Sequence, residues 1–310
     1  MCGVVGLLIR DRSLEPSLGA LLVPMIEALA DRGPDSSGIG VYSDARTGSF
    51  APAPAREAGT TGLRLSLGSD GVVDWPALCV ALGERFGRGL SVRCLPRGAL
   101  LEMSRDGAAL AADFVAQRWP EVRVLSRGRS LTVIKDTGRP EETCATHGLR
   151  QWTGYLGIAH TRMATESAVT LLHSHPFVPD DDLCVVHNGS FSNYATVRRQ
   201  LTAQGAVFES DNDSEVAARL LAARLTLGDD LAEATRWVME ELDGFFTLVI
   251  TTGAAMSVVR DPFACKPAVV AETSCYVAVA SEYRALAHLP DIADAKVFEP
   301  RPEEVYTWKR

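Results

Sequence analysis

Cys2 directly follows the initiating methionine. Removal of Met1 would leave one residue carrying both a thiol, of ordinary pKa roughly 8.5, and a free α-amine of roughly 7.7–8.0. A small environmental push makes such a residue nucleophile and base at once, as in hydrolases that attack an acyl carbon with their first residue. By position alone, Cys2 also reads as a small thiol buried at the start of a strand. Asn188-Gly189 supplies a side-chain amide and a backbone N–H that can converge on a developing oxyanion, although Asn-Gly is also the commonest hairpin turn. Arg162, within His160-Thr161-Arg162-Met163-Ala164-Thr165, presents a planar guanidinium suited to bidentate capture of a carboxylate. Its plainer use is a surface ion pair. Asp213, opening Asp213-Ser214-Glu215, suits a substrate ammonium or a simple helix N-cap.

A competing set is His173, His175, Cys184 and His187, whose residue types match a zinc site. Two imidazoles two residues apart share a face only in a strand, and Ser174 with Pro176 makes that stretch a loop. Hydrogen-bonded structural roles are the favoured reading for these histidines.

These groups need elements to hold them. An apolar run over 4–9 reads as a buried strand. Leu18, Leu21, Leu22, Met25, Ile26 and Leu29 recur at helical spacing after it, with Pro24 expected to kink or split the helix. Arg32-Gly33-Pro34-Asp35 breaks the pattern, 39–42 reads as strand, and 51–62 has the Ala, Pro, Gly and Thr content of a linker. Residues 63–147 form a block of their own: helical patterns at 76–86 and 107–119 alternate with strands at 92–95, 122–125 and 131–134, an α/β insertion. Strands ending at Ala159 and Val186 lead into Arg162 and Asn188. Helices follow at 194–204, 214–227 and 231–242, and then strands at 245–251, 255–260, 267–271, 276–280 and 305–308. Strands at both ends with helices between make the class α+β.

Composition narrows the functions open to the chain. It has 310 residues, 46% of them hydrophobic, with 31 Lys+Arg against 39 Asp+Glu and a net charge of -8. No basic run offers a footprint for nucleic acid or an anionic membrane. The longest apolar runs fall far short of the roughly 20 residues that cross a bilayer. No positive flank precedes the first of them, so no secretory signal is expected and the compartment reads as cytoplasmic. Seven cysteines without a CxxC pair argue against a disulfide framework.

Taken together and in order, Cys2-Gly3-Val4-Val5-Gly6, Arg32-Gly33-Pro34-Asp35-Ser36-Ser37-Gly38, the Arg162 stretch, His187-Asn188-Gly189 and Asp213-Ser214-Glu215 resemble the class II glutamine amidotransferase domain of the N-terminal nucleophile hydrolases. Leu242-Asp243-Gly244-Phe245-Phe246, Arg260-Asp261-Pro262, Lys266-Pro267 and Ala280-Ser281-Glu282 extend the resemblance over residues 2–310, the insertion aside. It implies a four-layer αββα sandwich with an inserted α/β subdomain. Cys2, with Met1 removed, would attack the side-chain amide of L-glutamine and form a thioester. By the same resemblance, Asn188 and Gly189 form the oxyanion hole, Arg162 holds the α-carboxylate and Asp213 the α-ammonium. Thr165 and His175 would line the pocket, and Arg32 would order the nucleophile end.

Three features depart from the family pattern: Glu166 where a His is usual, Ala264-Cys265-Lys266 before the proline, and the long insertion. The stretch His187–Tyr194 is similar to the stand-alone amidotransferase subunits of glutamate-synthase-like complexes, those of N-methylglutamate synthase and the GlxB-type chains among them. That likeness implies a separate synthase subunit that takes up the ammonia and holds a flavin and an iron–sulfur cluster. With no clustered cysteines and no GxGxxG after a strand, this chain is expected to carry no cofactor. The alternatives kept open are a zinc-dependent amidohydrolase and a catalytically silent docking subunit.

Overall fold

The computed structural model describes residues 2–44, 62–164 and 168–310. Thr165, Glu166 and nearly all of the 51–62 stretch lie outside them.

The chain opens with β1 (Gly3–Ile9), α1 (Leu18–Glu27) and β2 (Ser36–Tyr42). An inserted unit follows: β3 (Leu63–Ser69), α2 (Trp75–Phe86), β4 (Leu90–Leu95), β5 (Gly98–Met103), α3 (Arg105–Arg118) and β6 (Val122–Gly128). The main body resumes with β7 (Leu131–Thr137), α4 (Pro140–Thr146), β8 (Leu156–Arg162), β9 (Phe177–Asp180) and β10 (Leu183–Phe191). Next come α5 (Tyr194–Ala203), α6 (Asp213–Thr226) and α7 (Leu231–Glu241). The strands β11 (Gly244–Thr251), β12 (Ala255–Arg260), β13 (Val269–Glu272), β14 (Tyr276–Ala280), β15 (Lys296–Phe298) and β16 (Tyr306–Lys309) close the chain.

Two antiparallel sheets of the main body face each other. One has the order β15-β13-β14-β1-β8-β2-β7 and the other β16-β12-β11-β10-β9. Val4 and Leu8 point into the inter-sheet core against Val186, Val249 and Val258, while the alternate residues Val5, Leu7 and Ile9 face the layer of α1 and α4. Burial on both faces is why β1 reads as an unbroken apolar run. On the far side Leu201, Val216, Leu221 and Val238 from the three helices α5–α7 cover the second sheet. The layers run α, β, β, α, as the resemblance implied.

The inserted unit has its own four-stranded antiparallel sheet, order β4-β5-β3-β6, which is the split βαβ arrangement. Asp74 and Ser104 cap its two helices by accepting from Ala77 N and Gly107 N. Leu65, Leu78, Leu101 and Ala111 make its separate core. The block read from sequence as 63–147 divides at Gly128, because β7 pairs with β2 in the seven-stranded sheet, Ser36 opposite Thr137, and α4 buries Cys144 beside α1. An apolar strand such as 131–134 fits either sheet; only its partner decides which. The unit is tied back to the body at the β9–β10 turn. There the Asp182 carboxylate accepts from Arg129 N, Ser130 N, Ser130 Oγ and Leu131 N, and Asp181 pairs with Arg105 at 2.7 Å.

Pro24 does not split the first helix; α1 runs through it. The proline removes one N–H and leaves the carbonyl of Ala20, an exposed residue, without that donor, while Leu22, Val23, Met25 and Ile26 are buried around it. Among the described residues no helix is long and apolar enough to cross a membrane.

Candidate active site

Cys2 stands at the mouth end of β1, whose neighbours β8 and β14 hold it on both sides. Gly3 N donates to Thr161 Oγ1 at 3.2 Å, and Val4 N to Ser281 Oγ at 2.9 Å. A Cβ on Gly3 would lie 2.7 Å from Thr161 Oγ1 and 2.9 Å from Leu29 Cβ, so only glycine fits beside the thiol-bearing residue. Arg32 Nε donates to the Cys2 carbonyl at 3.0 Å while its Nη1 pairs with Glu282 at 2.6 Å. The Cys2 thiol faces Met163 O at 3.9 Å. Burial pushes the thiol above its ordinary pKa, opposed by the Met163 backbone, the chain's ammonium and the Arg162 and Arg32 guanidinia.

Asn188-Gly189 is not a turn. It lies inside β10, Asn188 opposite Thr247 and Gly189 opposite Phe246 on β11. Asn188 is 2% exposed, and its side-chain nitrogen has no hydrogen-bond partner among the described residues. Such a donor costs free energy unless something else accepts from it. Any Cβ at 189 would sit 2.0 Å from Phe245 O and 2.8 Å from His187 Nε2.

Arg162 ends β8, buried, with Nη1 donating to Ala168 O at 2.9 Å. Asp35, from the Arg32-Gly33-Pro34-Asp35 turn, braces the chain after it: Asp35 N donates to Arg162 O at 3.1 Å, and Asp35 Oδ2 accepts from Ala164 N at 2.8 Å. Asp213 sits at the first turn of α6, but the cap is its neighbour Asn212, which accepts from Ser214 N at 2.9 Å. The Asp213 carboxylate accepts instead from Phe191 N at 2.9 Å, joining the helix start to the end of the Asn188 strand.

The zinc reading fails on geometry. His173 has both ring nitrogens engaged, with Thr170 Oγ1 and Asp211 Oδ1 each at 2.7 Å, and Cys184 is buried in the core between the sheets. Among the described residues no cluster of His, Cys, Asp and Glu could hold a metal. His175 lies instead against His160, ring centroids 4.0 Å apart, and 6.4 Å from His187. All three rings are buried and held neutral by desolvation, His160 with its pKa lowered to about 3. His187 Nδ1 meets Ser214 Oγ at 2.7 Å and the ring stacks on Phe191, so this neutral base supports the strand that carries Asn188.

Cys2, Arg162, His175, Asn188, Gly189 and Asp213 all line one cleft of about 800 Å³. Arg32 lies behind it, on the Cys2 carbonyl. Thr165 lies outside the described residues. Tyr194 and Lys266 also line the cleft, and sequence reasoning did not single out the first or give the second a role. Thr161, Ser281, Glu282 and Asp35 lie within the quoted motifs, and only the fold shows what they do. A guanidinium, a carboxylate, a thiol and a free amide donor around one space suit a zwitterionic molecule bearing a carbonyl to be attacked.

Residues 160–288 match the family model described as "Glutamine amidotransferase domain". The glutamine amidotransferase-like protein GlxB of Rhizobium meliloti (strain 1021) is 44% identical over 99% of this chain and 98% of its own length. A solved glutamine phosphoribosylpyrophosphate amidotransferase from B. subtilis, complexed with ADP and GMP, superposes with a TM-score of 0.59 at 19% identity, over 99% of this chain and 49% of that one. The structure of the allosteric regulatory enzyme of purine biosynthesis gives 0.61 at 20% identity, over 99% and 46%. This chain spans about half the length of those two solved structures, and at these identities the likeness is one of fold.

Proposed function

The chain belongs to the class II glutamine amidotransferases and has their N-terminal nucleophile hydrolase fold, and from this premise we propose that it releases ammonia from L-glutamine through a thioester on Cys2. The observation that carries the proposal is the buried, unpartnered Asn188 amide in the same cleft as Cys2, Arg162 and Asp213.

In this reading Met1 is removed. The freed α-amine takes the thiol proton, and the sulfur attacks the side-chain carbonyl of glutamine. The oxyanion accepts from Asn188 Nδ2 and Gly189 N, which contribute more as charge develops than in the ground state. The ammonium of Cys2 returns the proton to the leaving nitrogen, ammonia departs, and a γ-glutamyl thioester remains. Water, deprotonated by the same amine, then cleaves it to glutamate and the free thiol. Arg162 and Asp213 hold the α-carboxylate and α-ammonium, and His175 and Thr165 line the pocket. A ligand lacking either charge leaves its buried partner unpaired, which is the basis of selectivity. Arg32 fixes the nucleophile through the Cys2 carbonyl.

The ammonia acceptor is proposed to be a separate glutamate-synthase-like protein that carries a flavin and an iron–sulfur cluster. The likeness of the 187–194 stretch to the amidotransferase chains of such complexes supports the pairing, and N-methylglutamate synthase is the favoured complex.

The test is the intact mass of the purified chain before and after an electrophilic glutamine analogue, with peptide mapping. Loss of Met1 and one adduct on Cys2, blocked by excess glutamine, is the expected result. Retained Met1 with no glutamine-protected adduct would leave the chain a silent docking subunit. Glutamine-dependent product synthesis by a mixture with the synthase partner, given by neither protein alone, would establish the pairing.

A further inference from the structure

Arg162 is held by a segment that is itself held from outside the sandwich. Residues 168–174 cross between the end of β8 and β9. At their start Ala168 O accepts from Arg162 Nη1 at 2.9 Å. At their middle Leu171 N donates to Asp70 Oδ1 at 2.9 Å, and Asp70 belongs to the bend that follows β3 in the inserted unit. The Leu171 side chain is buried against Leu125 of β6, and a Cβ on Gly68 of β3 would stand 3.3 Å from it. Its carbonyl accepts from the buried ammonium of Lys135 on β7 at 3.2 Å. At the far end His173 is joined to Asp211 at 2.7 Å, and Asn212 Nδ2 donates to His173 O at 3.3 Å, two and one residues before Asp213.

We infer that residues 168–174 form a strap through which the inserted unit sets the separation of Arg162 and Asp213, with Asp70 and His173 as positioning residues for glutamine. The inference rests on the glutaminase reading of the cleft. One end of the strap fixes the guanidinium that receives the carboxylate; the other fixes the helix start that receives the ammonium. The inserted unit is the anchor at the middle. Without it the backbone N–H of Leu171 loses its acceptor, and the body holds the strap through core packing of Leu171, through Lys135 and, at the far end, through the Ser174 hydroxyl, which meets Ser36 Oγ at 2.8 Å. The inserted unit thereby acts on glutamine binding although it contributes no group to the cleft.

The experiment compares the full chain with Asp70→Ala, Asp70→Asn and His173→Ala. Three quantities are read: KM and kcat for glutamine, the rate of Cys2 labelling by an electrophilic glutamine analogue, and the rate of labelling by iodoacetamide, which needs neither Arg162 nor Asp213. Asp70 is exposed, so its variants fold; melting temperatures confirm it. Losing one hydrogen bond that aligns a binding group should raise KM and slow analogue labelling by roughly 3–10-fold in Asp70→Ala and in His173→Ala. Unchanged kcat and iodoacetamide labelling are expected beside this. Asp70→Asn keeps an oxygen acceptor and should stay within about twofold of the parent chain. Equal analogue labelling in Asp70→Ala and the parent overturns the inference, as does a parallel fall in both labelling rates, which reports general loosening. Asp70→Asn behaving like Asp70→Ala also overturns it, since charge and not the bond would then matter. A parent chain that glutamine does not protect from the analogue overturns the glutaminase reading itself, an outcome distinct from the others.

Discussion

Acid should unfold this protein earlier than its surface charge alone would, and the cause is the histidine group under the cleft. His160 is 1% exposed; its Nε2 meets His187 O at 2.9 Å, and its Nδ1 has no partner among the described residues. Both nitrogens of His175 are likewise unpartnered, and Lys135 adds a nearby positive charge. Desolvation lowers the His160 pKa to about 3 and holds His175 well below its ordinary value. In the unfolded chain each imidazole titrates near 6.5. Between pH 6.5 and the folded values the unfolded state therefore binds more protons, and stability falls as pH falls. At pH 5 an imidazole that stays neutral when folded costs about 2 kcal/mol relative to pH 7, from about 1.36 kcal/mol per pH unit below 6.5. His160 contributes that amount, and His175 and His187, also shifted down, add in the same direction. That is a large part of the roughly 5–15 kcal/mol by which a domain is stable. Carboxylates titrate mainly below this window, so it isolates the histidines. Urea unfolding at pH 7 and pH 5 at fixed ionic strength, followed by circular dichroism, measures the difference. A fall of less than about 1 kcal/mol with an unchanged dependence on urea would refute the neutral-cluster argument.

The remaining predictions concern the cleft. Cys2→Ala should abolish glutamine hydrolysis and leave the melting temperature unchanged, since among the described residues the thiol's hydrogen-bond contact is a long one to Met163 O. Asn188→Ala should lower kcat by roughly 10²–10³-fold with little change in KM, the loss of one oxyanion donor, read by coupled ammonia release. Arg162→Ala should chiefly raise KM, because the guanidinium binds the unreacting carboxylate equally in ground and transition states. Gly189→Ala should fail to give a native fold at this strand: its methyl would lie 2.0 Å from the Phe245 carbonyl, and hydrogen exchange across β10 and β11 would report the lost pairing.

Much of this protein is legible along the chain. The runs that became β1, β10, β11, β12 and β14 are apolar enough to be buried on both faces, and the helical spacing of 194–204, 214–227 and 231–242 is met by α5–α7 to within a residue or two. Order carries the site as well. Cys2, the Arg32 motif, Arg162, Asn188-Gly189 and Asp213 are spread over more than two hundred residues, and their types and succession suffice to name them together. What local pattern could not settle was pairing. Residues 131–134 look the same whichever sheet they join, and β3, β5, β9 and β15 are too short or too mixed in character to stand out.

Sequence by itself determined the kinds of group this chain can bring to an amide and the order in which it presents them. Only the tertiary structure decided their environment. The Asn-Gly pair became a strand interior and not a turn because β11 lies across it, and Asp213 ceased to be a cap because Asn212 took that place. His173 and His175, two residues apart, parted into a surface hydrogen-bond relay and a dry, neutral cluster. The physical reason is that desolvation and close approach depend on what lies opposite in space. Opposition in an antiparallel sandwich joins residues far apart along the chain, Gly3 to Thr161 and Leu171 to Asp70, where no local pattern records it.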